Sequence, residues 1–216
     1  MNYVTFFTNH TAYCIIIILA LIVGLVSYIL INKKQPALFV NLIAIALSGA
    51  LSIVASCVVC ILVSNLFTTQ KLAYQSVFSI FYTICFFPLF MVLCQKTFAK
   101  GLDINTVTPS ILLVIFVARI ACAVEGCCQG RFYLATVEEL LCLTGFVLYI
   151  AKKLKMTFAH FFIGYMTWRF IAEFFKESFT LERIGFLSLI QYVALIATLL
   201  ATILLLKSKE IQNEKH

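Results

Sequence analysis

Long apolar runs recur along the whole of this 216-residue sequence, and they restrict its fold more than any other feature. Several runs contain about 18 or more residues, enough for a helix to cross a lipid bilayer. Hydrophobic residues make up 63% of the chain and charged residues 12%, with a mean hydropathy of +1.06. A soluble domain of this size cannot bury so much apolar surface. Because the runs are continuous and do not alternate with polar residues, they predict membrane-spanning helices and not a β-barrel.

The sequence predicts a single all-α membrane domain over residues 1–216, with seven transmembrane helices. The predicted spans are residues 13–31, 37–65, 74–95, 107–125, 137–151, 158–175 and 185–206. The second span is long enough to require a tilt or a break, and Ser48-Gly49 is the favoured place for a break. The first span is expected to be retained, because no basic residue precedes it and it lacks a small-residue cleavage site.

Basic residues orient the predicted spans. Ten lysines lie in the segments that follow the odd-numbered spans, whereas only two lysines and two arginines follow the even-numbered spans. The positive-inside rule therefore predicts an N-terminus outside and a C-terminus in the cytoplasm. The same bias accounts for the net charge of +7, so no nucleic-acid partner is expected.

Two arginines fall inside predicted spans, Arg119 in the fourth and Arg169 in the sixth. Each lies about 18 Å along an outward-running helix, at 1.5 Å per residue, which predicts a position in the outer half of the bilayer. Glu173 follows Arg169 by one helical turn on the same face, and Glu125 lies further along the helix of Arg119. A charge at this depth costs about 2.5–3.5 kcal/mol and therefore requires a partner or a wet cavity.

These charges admit two interpretations. In the first, Arg169 and Glu173 form a structural ion pair, but this leaves Arg119 unexplained. In the second, two guanidinium groups on different helices hold an anion between them. The planar guanidinium suits phosphate, and the commonest phosphate at this depth is a phospholipid headgroup. The residues themselves therefore favour a lipid-handling site.

The segment EGCCQGR follows the fourth predicted span on its outer side. Gly126 and Gly130 permit a tight turn there, and Arg131 adds a third cation. Cys127 and Cys128 could form a redox pair or bind a soft metal, but adjacent cysteines bridge only with strain and no histidine accompanies them. A turn or packing role is favoured, and neither a metal nor a cofactor is predicted. An external thiol redox protein and a transporter are the further hypotheses.

Two motifs centred on the arginines carry a family resemblance. ARIACAVEGCCQGR, residues 118–131, is similar to Gly-Arg-Ile-Gly-Asn-Phe-x-Asn-Gly-Glu-x-x-Gly and to its Gly-Cys-Cys-x-Gly version. RFIAEFFKE, residues 169–177, is similar to Arg-x-x-x-Glu-Phe-Phe-Arg/Lys, and smaller matches occur at Tyr13, Pro109 and Glu139. On these residues the chain resembles the prolipoprotein diacylglyceryl transferase family over its whole length.

The resemblance implies an enzyme of the bacterial plasma (inner) membrane that works without a cofactor. Enzymes of this family transfer diacylglycerol from phosphatidylglycerol to the lipobox cysteine thiol of a preprolipoprotein, giving a thioether and glycerol phosphate. The implied catalytic residues are Arg119 and Arg169, which would hold the phosphate, and Glu173, which would orient an arginine. The implied substrate-binding residues are Tyr13, Glu125, Gly126, Gly130, Arg131 and Glu139.

One family motif, His-Gly-Gly-Leu, is missing. Ungapped alignment back from Arg119 puts Ser79-Ile80-Phe81-Tyr82 at its position. His160 lies at the predicted cytoplasmic end of the sixth span and cannot replace the histidine. His10 precedes the first span on the outer side, where it could be a weak substitute. Two hypotheses follow. The chain is a divergent transferase, or it is a non-catalytic relative that binds anionic phospholipid or a protein partner at the same site.

Overall fold

A computed structural model describes residues 3–35, 37–67, 80–125, 132–154, 156–175, 183–184 and 186–213. Within these ranges, side chains are described except at 3–10, 63–67, 122–125, 132–135, 183–184 and 207–213. Seven α-helices dominate the described chain: α1 (Tyr3–Asn32), α2 (Leu38–Phe67), α3 (Ile80–Thr97), α4 (Thr108–Glu125), α5 (Phe132–Ile150), α6 (Phe158–Phe174) and α7 (Leu189–Asn213). A short 3-10 helix, Ile104–Val107, leads into α4. The all-α prediction is confirmed apart from one antiparallel pair of two-residue strands, β1 (Arg183–Ile184) and β2 (Leu187–Ser188).

Five of these helices are long and apolar enough to cross a membrane. They contain the segments Thr11–Asn32, Leu38–Leu62, Ile80–Thr97, Ile104–Ala121 and Leu189–Leu206. The chain is therefore compatible with a multi-pass membrane protein, while the count of seven spans and the orientation stay predictions. Helix α6 has 17 residues, or about 25 Å at 1.5 Å per residue, which is shorter than a hydrocarbon core of about 30 Å.

Of the tilt or break predicted for the second span, a break at Ser48-Gly49 is not present, because α2 runs without interruption from Leu38 to Phe67. Both Ser48 and Ser52 are fully buried. The Ser52 hydroxyl donates to the Ser48 carbonyl at 2.6 Å, and the Ser48 hydroxyl donates to Cys94 Sγ of α3 at 3.4 Å. One hydrogen bond within α2 and one to α3 therefore satisfy the serine hydroxyls without opening the helical backbone.

The structure divides into two compact units, residues 1–155 and 156–216. In the first unit, α1 packs against α4, α2 against α3, and α4 against α5. The core of this unit includes Tyr28, Met91, Leu102 and Val107, which come from the end of α1, the end of α3 and the segment before α4. The ends of α1 and α3 and the starts of α2 and α4 therefore meet at one end of the unit.

Small side chains allow α1 and α4 to approach closely. A Cβ placed on Gly24 would overlap Val114 Cγ2, so any larger residue at this position would force the Val114 side chain to move. One turn along, the Ser27 hydroxyl donates to the Gly24 carbonyl at 2.8 Å, and its Oγ lies within hydrogen-bond distance of Ser110 Oγ, at 3.0 Å. Small residues at a crossing and hydrogen bonds between hydroxyls are the usual means by which helices associate in a bilayer.

The second unit is a helical hairpin of α6 and α7, with β1 and β2 between them. Ser188 and Gln191 cap the start of α7 reciprocally: Gln191 N donates to Ser188 Oγ at 3.2 Å, and Ser188 N donates to Gln191 Oε1 at 2.8 Å. Gln191 Nε2 also donates to the Phe170 carbonyl of α6 at 3.3 Å. This amide therefore joins α7 to the turn of α6 that carries Arg169.

Candidate functional site

A buried ion pair joins α4 to α5 in the first unit. Arg119 is 7% exposed and Glu138 is 3% exposed, and Arg119 Nη2 lies 2.5 Å from Glu138 Oε2. Arg119 is in the candidate membrane span Ile104–Ala121, about 17 Å from the start of α4 at 1.5 Å per residue. The expectation that a guanidinium at this depth requires a partner is therefore met by a carboxylate of the neighbouring helix.

The family resemblance predicts Glu139 as a site residue, but the partner of Arg119 is its neighbour Glu138. The structure buries Glu138 and leaves Glu139 half-buried. A signal for this choice exists in the helical period of α5, because Glu138, Cys142, Gly145 and Tyr149 recur at the spacing of one helix face. None of these four is exposed, whereas Leu140 and Val147 on the opposite face are 57% and 53% exposed.

Cys142 lies one turn along α5 from Glu138 and is 6% exposed. Its thiol interacts electrostatically with both Glu138 and Arg119. The described part of α4–α5 therefore brings a guanidinium, a carboxylate and a thiol together in an apolar setting. Cys142 is a free thiol, and a buried free cysteine next to apolar side chains behaves mainly as a small hydrophobe.

Arg169 belongs to the second unit and is also buried, at 8% exposed, on α6. It follows fully buried Met166 by three residues and precedes buried Ala172 by three, so these residues form the buried face of α6. Glu173, four residues after Arg169, lies near the end of α6 and is half-buried. The prediction that Arg119 and Arg169 hold one anion stays a prediction.

Tyr13, predicted to line the site, is half-buried in α1. The contacts of Gly24 with Val114 and of Ser27 with Ser110 fix an antiparallel register between α1 and α4. This register puts Tyr13 level with the last turn of α4, the turn that ends at Glu125. The remaining predicted substrate-binding residues, Gly126, Gly130 and Arg131, and the vicinal Cys127 and Cys128 lie outside the described residues.

The position of the missing His-Gly-Gly-Leu motif falls at the start of α3. Phe81 and Tyr82 are 1% and 7% exposed there, and their rings meet edge to face with centroids 5.3 Å apart. They are packing residues. His160 is exposed in the first turn of α6, where its Nδ1 lies 2.6 Å from the hydroxyl of the helix cap Thr157. Among the described residues, no group of three histidine, cysteine or acidic side chains is arranged to hold a metal.

No family model matches the chain, and no curated protein or solved structure matches it. A functional proposal therefore depends on the chemistry of the residues and on the resemblance of the two arginine-centred motifs.

Proposed function

We propose that this chain handles anionic glycerophospholipid in a membrane, and that it transfers diacylglycerol from phosphatidylglycerol to the thiol of a lipobox cysteine. The observation that carries the proposal is the buried Arg119 guanidinium in an apolar helix of the candidate membrane region. A guanidinium forms paired hydrogen bonds with phosphate oxygens, and the commonest phosphate in a membrane is a phospholipid headgroup. The reaction is inferred from the resemblance of the two arginine-centred motifs to those of the transferase family.

In the proposed reaction the cysteine sulfur forms a bond to the carbon of the diacylglycerol unit that bears the phosphate. The bond from that carbon to the phosphate oxygen breaks. The thiol proton is released, and the electron pair of the broken bond leaves with glycerol phosphate. Arg119 and Arg169 would stabilise the negative charge on this leaving group, which is the usual role of cations in phosphate-releasing reactions. Glu173 would orient Arg169, because it follows by one helical turn.

The acceptor assay tests this proposal directly. Membranes that contain the full chain are given isotope-labelled phosphatidylglycerol and a peptide with a lipobox cysteine. The same peptide with serine in place of that cysteine is the control. We expect the label on the cysteine peptide alone, and less label with the Arg169→Gln variant. If the protein is present in the membranes and neither peptide is modified, the transferase activity is excluded.

A second candidate function is a lipid-binding protein without transferase chemistry, and the residues at the start of α3 favour it. Phe81 and Tyr82 fill the position of the family histidine motif as packing residues. On this hypothesis the chain retains phosphatidylglycerol through Arg119 but leaves the peptide unmodified. Lipid analysis of the purified protein distinguishes the two functions, because a protein without either bound lipid or activity contradicts both.

A further inference from the structure

The ion pair that neutralises Arg119 also sets a condition on any anion that binds there. Arg119 and Glu138 together carry no net charge when both are ionised, and both are more than nine-tenths buried. A phosphodiester brings one negative charge. Placing that charge beside an ionised Glu138 would leave a net negative charge in an apolar region, which is costly. Among the described side chains of α1, α4 and α5, Arg119 is the only cation, so a proton taken up by Glu138 would make the site neutral again.

We propose that Arg119 and Glu138 form a proton-coupled phosphodiester site, in which Glu138 takes up one proton from solution when the anion binds at Arg119. This inference rests on the proposed function and adds the condition under which the lipid phosphate binds. In the absence of anion, Arg119 donates to the Glu138 carboxylate. When the anion binds, the proton neutralises that carboxylate and the guanidinium is shared with phosphate. Apart from the O–H bond formed when Glu138 is protonated, no covalent bond forms or breaks.

The surrounding groups support a role for Glu138 as the proton acceptor. Described side chains in α4, α5 and the neighbouring α1 that can titrate or carry charge are Arg119, Glu138, Glu139, Cys142, Tyr149, Tyr13, Cys14 and Tyr28. Of these, Glu138 is the carboxyl in contact with Arg119 and is the more buried of the two acids. Arg169 is followed by Glu173 on its own helix. A contribution from that pair would therefore add no net charge.

Calorimetry on the purified full chain in a non-ionic detergent tests the coupling. The ligands are a short-chain phosphatidylglycerol and dimethyl phosphate, which separate a lipid headgroup from a free phosphodiester and keep one negative charge throughout. Short-chain phosphatidylcholine is the zwitterionic control. From about pH 6 to about pH 8 we expect the Kd to rise about tenfold per pH unit, as required when one proton binds with each anion. Calorimetric titration with the anion in two buffers of different ionisation enthalpy should show that about one proton is taken up for each anion bound.

Glu138→Gln removes the competing carboxylate and the proton acceptor together. It should bind phosphatidylglycerol with an affinity independent of pH, and at about pH 8 at least about tenfold more tightly than the wild type. Asp103→Asn makes the same chemical change at an exposed residue before α4, and it should keep the wild-type pH dependence. If Glu138→Gln does not fold, the proposal is still tested by the wild type, through the dependence of its Kd on pH and the number of protons taken up per bound anion.

Each result has a distinct meaning. Proton-coupled binding of phosphatidylglycerol alone assigns the site to a lipid headgroup, and equal coupling with dimethyl phosphate assigns it to a free phosphodiester. Binding of phosphatidylglycerol with no pH dependence and no proton uptake overturns the coupling but leaves the proposed function intact. If neither anion binds the wild type at any pH, both the coupling and the proposed function are wrong.

Discussion

Breaking the Arg119–Glu138 pair from either side should destabilise the protein, whereas removing both charges should not. Leaving one buried charge without its partner costs about 3–5 kcal/mol, but an apolar pair of similar volume is often neutral or stabilising. The pair is suited to this test because the two residues are 7% and 3% exposed and in direct contact. The variants are Arg119→Met, Glu138→Met and the double variant.

The two single variants should differ in their dependence on pH. In Arg119→Met, Glu138 can escape its buried charge by taking up a proton, which costs an ordinary glutamate carboxyl about 3.7 kcal/mol at pH 7 and about 1 kcal/mol at pH 5. The loss of stability should therefore shrink by about 2.7 kcal/mol between these values. In Glu138→Met, Arg119 cannot lose its proton under these conditions, so the loss should not depend on pH.

Thermal unfolding in detergent, followed with a fluorogenic thiol reagent, measures these differences, because Cys94 and Cys142 are buried in the folded chain. Lys100→Met, which removes an exposed cation, is the control and should change stability by less than about 0.5 kcal/mol. If the double variant loses the sum of the two single losses, the two side chains do not interact, and the account of the pair is refuted.

Two further predictions use the same preparations. Gly24→Leu should lower the free energy of unfolding by about 1–3 kcal/mol because its side chain overlaps Val114. Adding Val114→Ala should recover part of the loss, and Gly49→Leu, which has open space at its Cβ, is the matched control; equal effects of the two leucines would contradict the close approach of α1 and α4. Phosphatidylglycerol should change the fluorescence of Trp168 in the wild type, because Trp168 is next to Arg169 on α6, and Arg169→Gln should remove this change. An equal change in the variant would exclude a contact of the lipid phosphate with Arg169.

The sequence predicts the position of a helix well where polar residues mark the end of its apolar run. The fourth and sixth predicted spans start within one residue of α4 and α6, because polar residues at their beginnings mark the ends of the apolar runs. Helix α1 begins at Tyr3, ten residues before the predicted span. Its first turns are polar enough to lie beyond the apolar run, yet they remain helical. Hydropathy therefore locates the apolar part of a helix and misses a polar extension.

The candidate site is predicted only in part, for a related reason. A charge within an apolar run is conspicuous in a sequence, so the burial of Arg119 and Arg169 could be expected. The choice of Glu138 over Glu139 depends on how α5 is rotated about its axis. A one-residue error turns a side chain by about 100°, from the helix interface to another face.

Native mass spectrometry of the purified full chain can show whether Arg119 binds the phosphate of an anionic phospholipid. The wild type and the Arg119→Met/Glu138→Met variant, which should remain folded, are compared after exchange into equal mixtures of phosphatidylglycerol and phosphatidylcholine. We expect the wild type to retain phosphatidylglycerol in preference to phosphatidylcholine and the double variant to lose this preference. Equal retention of the two lipids by the wild type, or an unchanged preference in the double variant, would contradict it.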